Sequence, residues 1–369
     1  MKEHISQVAF PGLGIGEFEL CNVAFDLGDI LSIFGIKYSF PVYWYGIIIT
    51  CGIIVAFLYV VFRGKYEGIN FDNLVDVAIC TVIPGIIGAR LYFVLSMPEK
   101  FFTGSFVETI SKIINLRDGG LGIYGGIIGG IIGIVAITMI KKINTLKLLD
   151  MAAPGVMIAQ AMGRWGNFMY GEAYGGLVGE GHPLSIFRMS LLSNNVKTDE
   201  VLKEALGLDK VDKITEMVDV HPTFLYESLW NVLGFVLINI FYKKKKFNGQ
   251  IACMYLAWYG FGRFFIEALR TDSLYIVGTQ IRISQVVGIG CFVIFGAALI
   301  AGLIYSKKKL YAEGEMLNGV DLYVKPTLDL HPVFFEKKAE NKEESKAAEA
   351  SNNEAEEAQT EDSEDGTDN

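Results

Sequence analysis

Tyr43–Phe62 reads YWYGIIITCGIIVAFLYVVF, a run without a single charged residue. At ~1.5 Å of rise per residue such a run covers ~30 Å as a helix, the thickness of a bilayer's hydrocarbon core. The stretch therefore predicts a membrane-crossing helix. Comparable runs recur near 74–95, 121–140, 223–242, 250–269 and 283–305, and a shorter one covers 148–162. The sequence thus predicts an all-α, polytopic membrane protein with about seven transmembrane helices.

Basic residues orient these spans. Arg63 and Lys65, then Lys141, Lys142 and Lys147, then Lys243 to Lys246, then Lys307 to Lys309 follow the first, third, fifth and seventh runs. The positive-inside rule places those loops in the cytoplasm, with the N-terminus outside and the C-terminus inside. The expected organisation is an external segment 1–41 and a transmembrane domain 42–305 carrying an external insertion at about 169–221. A cytoplasmic juxtamembrane segment 306–338 and a tail 339–369 complete it. Within the insertion, Thr198–Met217 (TDEVLKEALGLDKVDKITEM) is amphipathic and reads as a helix.

Composition agrees with the membrane class: 51% of residues are hydrophobic and the mean hydropathy is +0.37. The net charge of −9 is a property of the tail, where 12 acids from Glu340 onward meet only Lys342 and Lys346. Such a block lacks the apolar surface to fold and is expected to be a disordered, solvated cytoplasmic tail. No nucleic-acid partner is implied, because the rest of the chain is nearly neutral. Four of the five cysteines fall in apolar runs and only Cys21 lies in a predicted external segment, so no disulfide framework or metal spacing is expected. Residues 1–41 hold no basic start followed by an apolar run and a cleavage site, so no cleaved signal peptide is expected.

Arg90, Arg164 and Arg263 stand inside or at the edge of apolar runs. A guanidinium at that depth costs roughly 2.5–3.5 kcal/mol on insertion scales and normally faces a bundle interior, a carboxylate or an anionic ligand. Counting helical rise from the cytoplasmic ends puts Arg263 ~20 Å and Arg90 and Arg164 ~24 Å across, in the outer third of the membrane. Tyr45, Tyr124 and Glu227 lie within ~8 Å of the outer ends of their own runs. Several helices thus bring polar groups to one layer, an outward-facing cationic site suited to a phosphate at headgroup depth.

Three motifs carry that layer. In Gly163–Gly175 (GRWGNFMYGEAYG) Arg164 offers a bidentate fork, Asn167 an amide, and Glu172 a carboxylate that pairs the arginine or accepts a proton. In Tyr259–Asp272 (YGFGRFFIEALRTD), Tyr259, Arg263, Glu267 and Arg270 share a helical face, with Arg263 and Glu267 at pairing distance. In His221–Ser228 (HPTFLYES), Glu227 enters the membrane one turn in. Glycine concentrates in Gly119–Gly133 (GGLGIYGGIIGGIIG), at spacings that let helices approach closely. His182 and His331 are expected to be surface residues.

Together GRWGNFMYGEAYG, HPTFLYES, YGFGRFFIEALRTD and GGLGIYGG closely resemble the prolipoprotein diacylglyceryl transferase family of bacteria, over roughly residues 40–305. The resemblance implies a multi-pass enzyme of the bacterial cell membrane. Its reaction would move the diacylglyceryl group of phosphatidylglycerol to the lipobox cysteine thiol of prolipoprotein signal peptides, with the bilayer as a further partner. It maps the family's essential arginine onto Arg164, with Asn167 and Glu172 in the same motif, and its second key arginine onto Arg263. Tyr45, Glu227, Tyr259 and Glu267 also match family positions, and Arg90 is carried as a further substrate-binding candidate from its depth.

Two departures matter. Tyr124 stands in GIYGG where many members carry the histidine proposed as general base, and Tyr170 stands where asparagine is usual. A tyrosine with an ordinary pKa near 10 is a poor base at neutral pH. The base therefore stays open among Tyr124, Glu172 and His221. No cofactor or metal is expected. The competing reading is an outward-facing transporter or binding protein for an anionic lipid or solute. Transport predicts polar residues at the midplane, whereas the charges here cluster on one side.

Overall fold

Each of the seven apolar runs forms a helix in the computed structural model, which describes residues 5–28, 39–102, 105–115, 119–172, 174–179, 181–193, 217–271, 273, 275–276 and 278–311. The helices are α1 (Trp44–Glu67), α2 (Phe71–Ser96), α4 (Ile123–Lys141), α5 (Thr145–Tyr170), α6 (Thr223–Tyr242), α7 (Gln250–Leu269) and α8 (Ile283–Tyr311), with a short α3 (Phe106–Ile114) between α2 and α4. Five of them, α1, α2, α4, α6 and α8, are long and apolar enough to cross a membrane. Their outward residues, such as Leu58, Ile87, Leu95, Ile132 and Ile294, are exposed. That surface suits hydrocarbon.

Pairing follows side-chain size. Helices α2 and α4 pack along their glycines: a Cβ built on Gly129 would overlap the Pro84 carbonyl oxygen, and one on Gly133 the carbonyl oxygen of Cys80. Backbones this close leave no room for a side chain. Gly133→Leu is therefore expected to separate the pair and prevent accumulation of folded protein, checked by monodisperse elution in detergent; normal elution would contradict the contact.

Helix α5 packs against α1, α6 and α7, and α7 against α8. Trp230 of α6 and Trp258 of α7 stack at 4.1 Å between ring centroids, and each indole N–H donates to the other's carbonyl, at 3.1 and 3.0 Å. At the opposite end Glu67 accepts from Lys245 at 2.8 Å, while Asp150 of α5 accepts from the Gly249 and Ala252 amides, both at 2.9 Å. A carboxylate there satisfies the orphan amides at the start of α7.

The all-α expectation needs one correction. Strands β1 (Ile5–Phe10), β2 (Ile15–Cys21), β5 (Met189–Ser193) and β6 (Val218–Val220) form an antiparallel sheet in the order β2-β1-β5-β6, and β3 (Val23–Asp26) pairs with β4 (Pro41–Tyr43). Ser6 lies opposite Ser193, so the N-terminal segment and the 169–221 insertion, expected as separate pieces, share one sheet. Its inner face (Val8, Phe10, Leu20, Met189, Leu191, Val220) packs on Phe168 of α5 and Phe224 of α6. The sheet is thereby fixed over one end of the α5–α6 pair. Residues 198–216 of the expected amphipathic helix, and the acidic tail, lie outside the described residues.

Candidate active site

Glu227, one turn into α6, is the centre of the polar layer. Its side chain is 4% exposed, and its carboxylate receives Arg164 Nε from α5, Arg263 Nη1 from α7 at 2.5 Å, and Arg270 Nη1 at 3.5 Å. Arg263 Nη2 is also held by Glu267 Oε2, 2.5 Å away and one turn along the same helix. Two guanidiniums predicted from different helices thus grip the same carboxylate. A buried ion pair of this kind offsets its desolvation only through several contacts: Glu227 Oε1 accepts from Arg263 and Arg270, while Oε2 is in ion-pair contact with Arg164.

The remaining groups gather around Arg164. Its Nη1 approaches Asn167 Oδ1 at 3.5 Å, and the Tyr45 ring packs on Gly166, where a Cβ would sit 3.0 Å from Tyr45 Cδ2. Tyr45 interacts electrostatically with both Arg164 and Glu172. The Arg164 side chain is 21% exposed, and among the described residues no hydrogen-bond acceptor meets its Nη2. Arg164, Arg263 and Arg270 thus gather on the carboxylates of Glu227 and Glu267, and guanidiniums are the side chains that bind a phosphodiester bidentately.

Other predicted residues stand apart. Arg90, 7% exposed, donates to five carbonyls: Nε to Ile113 at 2.9 Å, Nη1 to Gly119 and Gly120 at 2.6 and 2.9 Å, and Nη2 to Lys112 and Asn115 at 2.8 and 2.7 Å. A guanidinium has five N–H donors. All are spent at the C-terminal end of α3 and on the loop after it, with the cation over the Phe101 ring at 5.1 Å. Arg90 thus organises this hairpin, a role that depth counting could not separate from ligand binding. Arg90→Met would strand five carbonyls and is expected to destabilise the fold by at least about 3 kcal/mol, read as a lowered melting temperature in detergent. A variant that melts like the parent but loses lipid affinity would return Arg90 to the binding site.

Tyr124, at the start of α4, has its ring 6.1 Å from that of Tyr92 on α2, and α4 packs chiefly on α2. Tyr259 lies one turn before Arg263, its ring 6.1 Å from that of Tyr255. His221 is buried, its Nδ1 3.2 Å from the Tyr226 hydroxyl. Burial, and then the nearby His182, lower the His221 pKa and keep the imidazole neutral. His182, expected as an isolated surface residue, is exposed, but its ring lies 5.0 Å from that of His221.

Arg282 was not foreseen. Its Nη1 donates to the Glu267 carbonyl and its guanidinium faces the Tyr275 ring at 5.9 Å, so it caps the end of the helix that carries Arg263. No sequence spacing links residues so placed. Trp165 was also missed: its indole N–H donates to Ser228 Oγ at 3.2 Å, next to the Arg164–Glu227 pair. Among the described residues no group of three His, Cys, Asp or Glu side chains is arranged to hold a metal.

Comparison with known proteins places the chain in a family. Residues 32–301 match the family model described as prolipoprotein diacylglyceryl transferase. A phosphatidylglycerol–prolipoprotein diacylglyceryl transferase of Finegoldia magna is 40% identical over 278 residues, covering 75% of this chain and 93% of that protein. The Clostridioides difficile protein of the same name is 38% identical over 277 residues, 75% and 94% of the two chains. One from Bacillus cereus strain 03BB102 is 40% identical over 261 residues, 69% and 86%. Arg164, Asn167, Glu227, Arg263 and Glu267 all fall inside the matched region, and the chain belongs to the prolipoprotein diacylglyceryl transferase family.

Proposed function

We propose that this chain transfers the diacylglyceryl group of phosphatidylglycerol to the lipobox cysteine of prolipoproteins, the first step of bacterial lipoprotein maturation. Family membership supports the reaction, since the relatives carry it in their names. The observation that carries the assignment of residues is Glu227 shared between Arg164 and Arg263. In this reading α5 and α7 also cross the membrane, giving seven spans. At 26 and 20 residues they are long enough, and their arginines explain their lower apolarity. The arginine layer and the sheet face outward, and the acidic tail is cytoplasmic.

In the reaction the cysteine must act as thiolate. Its S–H proton passes to a base, sulfur bonds to the glycerol carbon that bears the phosphate, and the C–O bond to phosphate breaks. Glycerol phosphate then leaves with the electron pair. Arg164 and Arg263 hold the phosphate and offset the growing charge, the electrostatic contribution that usually dominates catalysis. Of the three candidate bases, Glu172 follows the helix that carries Arg164 and Asn167, its backbone N–H donating to the Asn167 carbonyl at 3.1 Å. Tyr124 belongs to the α2–α4 pair, and His221 faces Tyr226.

Transfer of labelled diacylglyceryl from phosphatidylglycerol vesicles to a synthetic lipobox peptide is the test. Lipid binding without transfer would favour a non-catalytic binding protein. The tail lies outside the family match, so deletion after Lys338 is expected to leave transfer intact; a large loss would make the tail a docking segment.

A further inference from the structure

Directly beneath the arginine layer, towards the membrane interior, two acceptor atoms have nothing to accept. Gln160 Oε1 and Asn231 Oδ1 are buried without a hydrogen-bond partner, and Asn231 is 2% exposed. The Asn231 amide can point only one way: its Nδ2 donates to the Glu227 carbonyl at 2.9 Å, which its oxygen could not do. Gln160 Nε2 meets the Tyr255 hydroxyl at 2.9 Å; turned over, its Oε1 would accept from that hydroxyl and Nε2 would be the spare atom, and a ligand hydroxyl can pair with either. Buried acceptors of this kind cost stability unless a donor arrives.

Their position is set by helix register. Helices α5 and α6 run antiparallel, with Arg164 against Glu227 and Met157 against Gly234. Gln160 and Asn231 therefore share a level between those two. Each lies four residues, or one turn of ~5.4 Å, deeper than Arg164 and Glu227 on the same helix faces. Tyr255 is eight residues before Arg263 on α7, on the same face again. The three helices that build the arginine layer thus build a second, uncharged layer under it, rich in acceptors.

On the outer side a backbone strap crosses between the helix ends. Gly175 N–H donates to the His221 carbonyl at 2.8 Å, Gly176 N–H to the Leu269 carbonyl at 2.9 Å, and Thr271 Oγ1 to the Tyr174 carbonyl at 3.2 Å. This strap joins the outer ends of α6 and α7, about 9 Å above Glu227 and Arg263 by helical rise. A lipid whose phosphate is held by the arginines has its ester groups to contend with as well, but esters only accept hydrogen bonds. The groups of phosphatidylglycerol that donate are the two headgroup hydroxyls, and they match the two orphan acceptors.

We propose that Asn231 and Gln160 receive the headgroup hydroxyls of the donor lipid and so select a hydroxylated headgroup. The inference rests on the lipid-transfer reading above. A site built to bond hydroxyls rejects an analogue that lacks them, because its acceptors are then left unpaired.

The test compares phosphatidylglycerol with phosphatidylpropanol of the same acyl chains, which keeps the phosphodiester and lacks both hydroxyls. Transfer to a lipobox peptide is measured for the full chain and for Asn231→Leu and Gln160→Leu, beside displacement of a fluorescent phosphatidylglycerol without peptide. The parent is expected to favour phosphatidylglycerol at least about tenfold in kcat/KM. Each variant should narrow that preference to about threefold by losing turnover of phosphatidylglycerol alone. Equal losses on both lipids would mean packing or a buried water only, and an unchanged preference would place the hydroxyls elsewhere; either overturns the proposal. Failure of the parent to transfer from either lipid would defeat the lipid-transfer reading, while the displacement arm would still decide headgroup selection. Should Asn231→Leu fail to accumulate, Gln160→Met carries the same comparison.

Discussion

Glu227→Gln is expected to lower kcat for diacylglyceryl transfer about a thousandfold while leaving KM for the lipid unchanged or reduced. The amide keeps the shape of the side chain but removes the charge that holds Arg164 and Arg263 together and meets Arg270. Three guanidiniums then face a neutral group. Breaking a buried pair by removing one partner costs about 3–5 kcal/mol, part of which a bound phosphate can recover by supplying the missing charge. Ground-state affinity is thus retained, and the cost falls on the geometry that the transition state requires. A thousandfold loss corresponds to about 4 kcal/mol. Purified Glu227→Gln that turns over within tenfold of the parent would remove Glu227 from the centre of the site.

Arg164→Lys should cut kcat/KM by at least about a hundredfold with little change in folded yield. Arginine meets Glu227 through Nε and Asn167 through Nη1, and still has donors directed elsewhere. An ammonium is a single point charge on a flexible stem and cannot hold three acceptors in one plane. Charge is conserved, so the membrane fold loses little, and the deficit isolates the fork. Removing one preorganised donor from a developing oxyanion costs about 2.7–4 kcal/mol in comparable sites. Near-normal transfer by this variant in membranes would show that Arg164 acts as a structural cation. The two variants also separate from each other: Glu227→Gln spares lipid affinity, whereas Arg164→Lys weakens it.

Much of the architecture was legible from local pattern. The run at Tyr43–Phe62 became α1, and the shorter run at 148–162 lies within α5. The Arg263–Glu267 pair was legible too, because residues four apart on a helix are neighbours whatever surrounds them. The same holds for the α2–α4 contact, where glycines at helical spacing carried the information before any partner was known.

What escaped was non-local. Strand β1 pairs with β5 across more than 180 residues of sequence, and both are too short to announce themselves without each other. Arg90 and Arg164 stand at the same depth in comparable apolar runs, yet one is spent on the carbonyls around α3 and the other meets Glu227. Depth along a helix is set by counting residues; the direction a side chain faces depends on how neighbouring helices rotate and pack. The sequence alone therefore determined the apolar helices and the level along each at which the polar groups stand, since these depend on residue type and helical rise. Only the tertiary structure decided which of those groups meet, because a carboxylate chooses among guanidiniums by angstroms of interhelical geometry that no single segment encodes.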